Sequence, residues 1–128
     1  MSLLLDSHSL LWYLTNDDRL PQPVKELLED PAARVVISVA SQWELMIKAM
    51  RGRLRLPDDP AHFLGDLPQE SGFRVLAIQE RHVFALSELP EIHADPFDRI
   101  LVAQALVEGL DLVTGDETIR SYPVRTIW

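Results

Sequence analysis

His93-Ala94-Asp95-Pro96-Phe97-Asp98-Arg99-Ile100-Leu101-Val102-Ala103-Gln104-Ala105 reads as a helix with two carboxylates at its mouth and an apolar body. Asp95 has the N-cap position, Pro96 the first helical position, and Asp98 the first turn. Apolar residues at 100–103 and 105–107 cover more than one face, so this helix is expected to lie buried against other elements. Charge at the end of a buried helix is costly unless something pairs with it. Both acids also suit the positive helix end, Asp95 as cap and Asp98 as partner in a capping-box-like pair.

Outward from this helix, strand and helix signals alternate. Gly109 is its expected C-cap, and Leu110-Asp-Leu-Val-Thr-Gly-Asp116 is a strand running out into an aspartate. Val124–Ile127 is the last strand. Upstream, Leu3-Leu4-Leu5 is a short apolar strand ending at Asp6, followed by a helix carrying Leu10, Leu11 and Leu14. Pro21–Asp30 is a second helix closed by Pro31, and Arg34–Ser38 a β-branched strand. In the next helix, about Val39 to Met50, Trp43, Met46, Ile47 and Met50 form an apolar stripe, with Glu44 and Lys48 on its flank. A helix with Phe63, Leu64 and Leu67, a strand at Phe73–Ile78 and a short helix at Arg81–Leu89 complete the chain. This alternation predicts an α/β domain with a mainly parallel sheet, as one unit over residues 1–128. The site of such a sheet lies outside the strands' carboxyl ends, where Asp6 and Asp116 both fall.

Composition narrows the chemistry. Apolar residues at 47% and charged residues at 25% are ordinary globular usage, which excludes wholesale disorder. The absence of cysteine excludes disulfides, thiolate metal sites and a cysteine nucleophile. No apolar run approaches the roughly 18 residues of a membrane span, and no basic n-region opens the chain, so a cytoplasmic protein off the membrane is expected. A net charge of −8 is unusual for a protein that grips nucleic acid through its backbone. It calls for a local basic patch, a metal that screens the carboxylates, or a cationic protein partner.

Asp6, Glu44, Asp98 and Asp116 stand where strand ends and helix edges converge. Acids this close raise one another's pKa unless a cation sits among them. All-oxygen ligands, with no His pair at i, i+4, point to Mg2+ or Mn2+. Such ions activate water and neutralise a phosphodiester, so the expected reaction is phosphoryl-transfer hydrolysis. Each acid has a plainer reading beside this one: Asp6 as an N-cap, Glu44 as the partner of Lys48 in a solvated pair, Asp116 as a turn residue. Lys48, Arg51, Arg53 and Arg55 place four of twelve basic residues within eight positions, either a solvated helix end or a phosphate-gripping rim. His8 and His93 adjoin the acids and are expected to face substrate, while His62 and His82 are expected on the surface. Trp12, Trp43 and Trp128 read as core or interface residues rather than base-stacking platforms.

Four stretches, Leu3-Leu-Leu-Asp-Ser-His8, Ser38–Lys48, Asp95–Ala105 and Leu112-Val-Thr-Gly-Asp116, resemble the PIN-domain ribonucleases, above all the VapC-type toxins of bacterial toxin–antitoxin pairs. The resemblance runs from residue 3 onward in order and spacing. It implies a three-layer α/β/α fold in which Asp6, Glu44, Asp98 and Asp116 gather one or two Mg2+ or Mn2+ ions and water attacks RNA. Ser7 and Thr114 are then hydroxyls standing behind the ligands, and Asp95 a cap or outer-sphere ligand. The implied partners are RNA, an antitoxin whose tail lies across the acidic pocket, and a second copy of the chain in a homodimer. Two positions depart from the pattern: many relatives carry Arg where Gly115 stands, and an aromatic where Ile119 stands. Two other readings compete, a PIN fold kept only for protein binding and an aspartate-based phosphotransfer domain. The latter lacks its second Asp, because position 8 is His, and its lysine at a late strand end.

Overall fold

Three leucines in a row, Leu3 to Leu5, are all fully buried, as expected for a strand with both of its faces covered. They belong to β1 (Ser2–Leu5), the centre of a five-stranded sheet in a computed structural model that describes residues 1–128. The other strands are β2 (Arg34–Ser38), β3 (Arg74–Leu76), β4 (Asp111–Val113) and β5 (Thr126–Ile127). Every pairing is parallel, in the order β3-β2-β1-β4-β5, with Leu4 opposite Val36 on one side and Leu112 on the other.

Period-two alternation sorts these strands onto two cores. Leu3, Leu5, Val35, Ile37 and Val113 face one layer, which contains α1 (Ser7–Leu14), α2 (Gln22–Glu29) and a π-helical turn (His62–Asp66) running into α4 (Leu67–Glu70). Leu4, Val36 and Leu112 face the other, against α6 (Pro96–Glu108) and Ile119 of α7 (Glu117–Arg120). The remaining helices are α3 (Val39–Met50) and α5 (Glu80–Ala85). The result is the expected α/β/α arrangement. Helix α6 buries six consecutive residues, Ile100 to Ala105, and ends on Gly109 at φ 68°, the left-handed C-cap that glycine adopts without strain.

The structure overturns one sequence expectation, for His82, and sharpens two others. The apolar stripe of α3 meets the core only in part: Met46 packs against it, but Trp43 is 57% and Met50 78% exposed, while Ala40, Ser41 and Leu45 are buried. Periodicity reveals that a face is apolar, but neighbouring layers decide which face is covered, and here it is the one opened by two small residues. Of the tryptophans, Trp43 and Trp128 are thus exposed and Trp12 is half-buried. His82 is fully buried rather than on the surface. Its Nδ1 accepts from the Gln79 N–H and its Nε2 donates to Glu108, so both nitrogens are satisfied away from water. No helix is long and apolar enough to cross a membrane.

Leu101 lies wholly within the core beneath the sheet, so Leu101→Ala is expected to cost about 2–5 kcal/mol. Urea denaturation reads this as a lower midpoint at constant slope. The same truncation at exposed Met50 is expected to stay within about 0.5 kcal/mol.

Candidate metal centre

In a parallel sheet, backbone geometry carries the chain off the carboxyl edge after each strand, and the central β1 and its neighbour β4 deliver two acids there. Asp6 follows β1 directly, and its N–H donates to the Val113 carbonyl of β4 at 3.1 Å. Its side chain is both cap and cleft residue: Oδ1 accepts from the Ser9 N–H at 2.8 Å, leaving Oδ2 without a donor. Asp116 does the same for α7, its Oδ1 accepting from Thr118 and Ile119 N–H groups at 2.8 and 3.3 Å. Buried Thr114 accepts the Asp116 N–H at 3.0 Å and so sets the direction of the turn. Asp6 and Asp116 line one cleft of about 380 Å3 with His8, Trp12, Arg19, Gly115 and Trp128.

Glu44 and Asp98 approach from flanking helices. The Ser7 hydroxyl donates to Glu44 Oε1 at 2.6 Å, which ties α3 to the residue beside Asp6. Lys48 holds the other oxygen at 3.2 Å. Glu44 is therefore more than one half of a solvated pair. Asp98 does not close a capping box. Asp95 alone caps α6, accepting the N–H groups of Phe97 and Asp98 at 2.9 and 3.1 Å, and the Asp98 carboxylate turns instead to His93 Nε2 at 3.0 Å. Burial pushes the Asp98 carboxyl up to about 6; the His93 hydrogen bond opposes this, and the charges of Asp95, Glu44 and Asp116 add to it. Those charges act on Asp98 because the acids share one neighbourhood.

His93 is positioned by residues that spacing and composition did not reveal. Arg99 donates to the Tyr122 hydroxyl at 3.0 Å and to the Pro90 carbonyl at 2.8 Å. Tyr122 lies 2.7 Å from His93 Nδ1. A guanidinium only donates, so the Tyr122 oxygen accepts from it and spends its own proton on Nδ1. That assigns the remaining ring proton to Nε2, aimed at Asp98 Oδ2. The whole chain of bonds thus runs one way, from Arg99 to Asp98. Both nitrogens of His93 are engaged, so its expected role against substrate gives way to one of holding Asp98. Arg99 sits within the Asp-Pro-Phe-Asp-Arg block, which was its only sequence signal. Tyr122 is 23 positions further on and had none.

The free donors suit a hard divalent cation: Asp6, Asp98 and Asp116 each keep one carboxylate oxygen free of hydrogen bonds. No three of the acids close to ligand distance, since each rests on its own N–H or O–H donor. Burial is the main cause of the raised Asp98 pKa and the neighbouring acids add to it; a cation held there would favour the charged carboxylate. At the far end of α3, Arg51, Arg53 and Arg55 are exposed, while Lys48 is drawn inward to Glu44.

A family model described as PIN domain matches residues 3–124. Ribonuclease VapC22 of Mycobacterium tuberculosis is 30% identical over 132 residues, covering 99% of this chain and 98% of the relative. Among solved structures, the DNA-bound VapBC2 complex of Rickettsia felis superposes with a TM-score of 0.76 at 14% identity, over 100% of this chain and 99% of the other. DNA-bound VapBC from Salmonella typhimurium does so with a TM-score of 0.72 at 19% identity, over 99% and 97%. With its carboxylates at the switch point of an all-parallel sheet and a match along nearly its whole length, the chain belongs to the PIN-domain family, in its VapC branch.

Proposed function

We propose that this protein is a metal-dependent endoribonuclease, the toxin of a toxin–antitoxin pair, which hydrolyses phosphodiester bonds of RNA. The observation that carries this reading is the placing of the acids along one edge of the sheet: Asp6 and Asp116 line one cleft, and the charges of Glu44 and Asp116 add to the raised pKa of Asp98. Asp6, Asp98 and Asp116 would hold Mg2+ or Mn2+ through their free oxygens, with Glu44 as a ligand directly or through water. A bound divalent cation supplies activated water and charge neutralisation at the phosphodiester. Ser7, Thr114 and His93 orient the carboxylates, and Asp95 keeps the α6 end in place. Arg51, Arg53 and Arg55 offer the RNA backbone a basic rim on a chain of net charge −8. The same acidity suits an antitoxin with a cationic tail, which would silence the site by occupying it. A cytoplasmic homodimer of single-domain chains is the expected form.

Cleavage of single-stranded RNA with Mg2+ or Mn2+ tests the reading. EDTA is expected to abolish it. Asp98→Asn is expected to lower it by at least about 100-fold, the upper end of what loss of a ligand-orienting group already causes. Cleavage indifferent to both changes would sink the proposal.

The pH dependence follows from the sign of the Asp98 shift. Its ordinary value is 3.8 and its folded value about 6, so the folded state binds the proton more tightly. Stability of the metal-free protein should therefore fall as pH rises from about 4 through 6. Metal competes with that proton, so the rise in Tm on adding Mn2+ should be small at pH 5 and larger at pH 7.5. Equal rises at both values would contradict the assignment of Asp98.

Tyr122→Phe removes the hydroxyl that links Arg99 to His93. Calorimetric titration is expected to show Mn2+ affinity about 10–100-fold weaker. In RNA cleavage, kcat is expected to fall with KM little changed.

A further inference from the structure

We propose that the aromatic wall of the cleft, built by His8, Trp12 and Trp128 with Arg19 behind them, is a stacking site for one unpaired nucleobase of the RNA. The proposal rests on the ribonuclease reading and deepens it. The wall lines the same cleft as Asp6 and Asp116, so a base held there lies beside the carboxylates that would handle its phosphodiester.

Three separate parts of the chain build the wall. His8 and Trp12, one helical turn apart on α1, stack with ring centroids 5.6 Å apart and planes within 27°. The Arg19 guanidinium lies 4.8 Å over the Trp12 ring. Trp128, just beyond β5, meets Trp12 at 5.9 Å with a tilt of 53°. Trp12 is thereby a half-buried buttress, and the rings left open to an incoming ligand are those of His8 and Trp128, the latter 38% exposed. An indole with a purely structural task would be expected to sink further from water.

Gly115 makes this arrangement possible. A Cβ at position 115 would lie 2.4 Å from Cε2 of Trp128 and 2.7 Å from both Cζ2 and Nε1, closer than atoms can approach. The indole therefore lies against the bare backbone beside Asp116, in the space where a side chain at 115 would begin. Where the sequence departs from the family pattern by lacking Arg at this position, the structure puts a flat aromatic surface at the mouth of the acidic cleft.

The chemistry of the wall selects its ligand. A nucleotide offers a flat, uncharged π-face for the indole and a phosphate for the metal-binding carboxylates. The Trp12 ring already carries Arg19, so an incoming base meets the faces of His8 and Trp128. Arg19 in turn is neutralised by Asp17 at 2.7 Å, so it extends the stack and is not free to clamp phosphate. At about 380 Å3 the cleft is near the lower end for small-ligand sites and takes one nucleoside. Bases in a duplex are already stacked and paired, so the site requires a single strand.

The test separates binding from cleavage. Asp98→Asn protein is titrated with short single-stranded oligoribonucleotides, the matching duplex, and an arginine-rich peptide, following tryptophan fluorescence. Single strands are expected to quench saturably and the duplex weakly. Adding Trp128→Ala should weaken single-strand binding at least about 5-fold, the lower end of the loss for a stacked base. Trp128→Phe should restore most of it, and Gly115→Ala, which displaces the indole, should weaken it similarly. Trp43→Ala, on the outer face of α3, should keep the quench. In the otherwise native protein, Trp128→Ala should raise KM for RNA by a similar factor. If Trp128→Ala fails to fold, Gly115→Ala and Trp128→Phe decide the question. Unchanged binding in Trp128→Ala and Gly115→Ala, or quenching by the peptide but not by RNA, would overturn the stacking site. Stacking without metal-dependent cleavage by the native protein would instead overturn only the ribonuclease reading.

Discussion

Four carboxylates at one sheet edge repel one another, and the rest of the molecule is arranged so that they stay there. Like charges in partly buried surroundings are screened less than at an open surface, so this repulsion counts in a marginally stable domain. A flexible loop would relieve it by moving apart. Here the acids are mounted on the carboxyl ends of β1 and β4 and on the flanks of α3 and α6, with buried cores above and below the sheet. The raised pKa of Asp98 reflects its burial first and the charges of its acidic neighbours second.

Each acid is also held by a donor that does not compete for all of its oxygens. Asp6 and Asp116 use one oxygen to cap the helix that follows, so one side chain both starts a helix and faces the cleft. Glu44 leans on Ser7, and Asp98 on His93. The Arg99–Tyr122–His93 series gives the last contact a direction, because a guanidinium at its head can only donate. Such outer contacts keep ligands in one geometry, which a metal centre needs as much as the ligands themselves.

Much of this was legible from residue order. The β1, β2 and α3 spans, the Asp95 cap and the Gly109 terminus follow from local pattern, since capping and strand propensity are short-range effects. Asp6, Glu44, Asp98 and Asp116 could be picked out because acids at strand ends and helix mouths are costly without a reason. The stripe of α3 is only partly covered, because periodicity marks an apolar face without saying what packs on it. His82 misled because its two partners, Gln79 and Glu108, lie on different elements. Tyr122 carries no local signal, and an aromatic in a sequence does not disclose which side of its ring is free, so Trp12 and Trp128 read as core or interface alike.

The sequence by itself determined the parallel α/β class, the order of its elements and the placing of acids at strand ends and helix mouths, because these rest on interactions within a few residues or on a hydrophobic period. Only the tertiary structure decided which oxygens of those acids remain free, that His93 serves Asp98, and that Trp128 lies on Gly115 at the mouth of the cleft. Those facts depend on contacts between residues tens of positions apart, and such contacts exist only once the layers have packed.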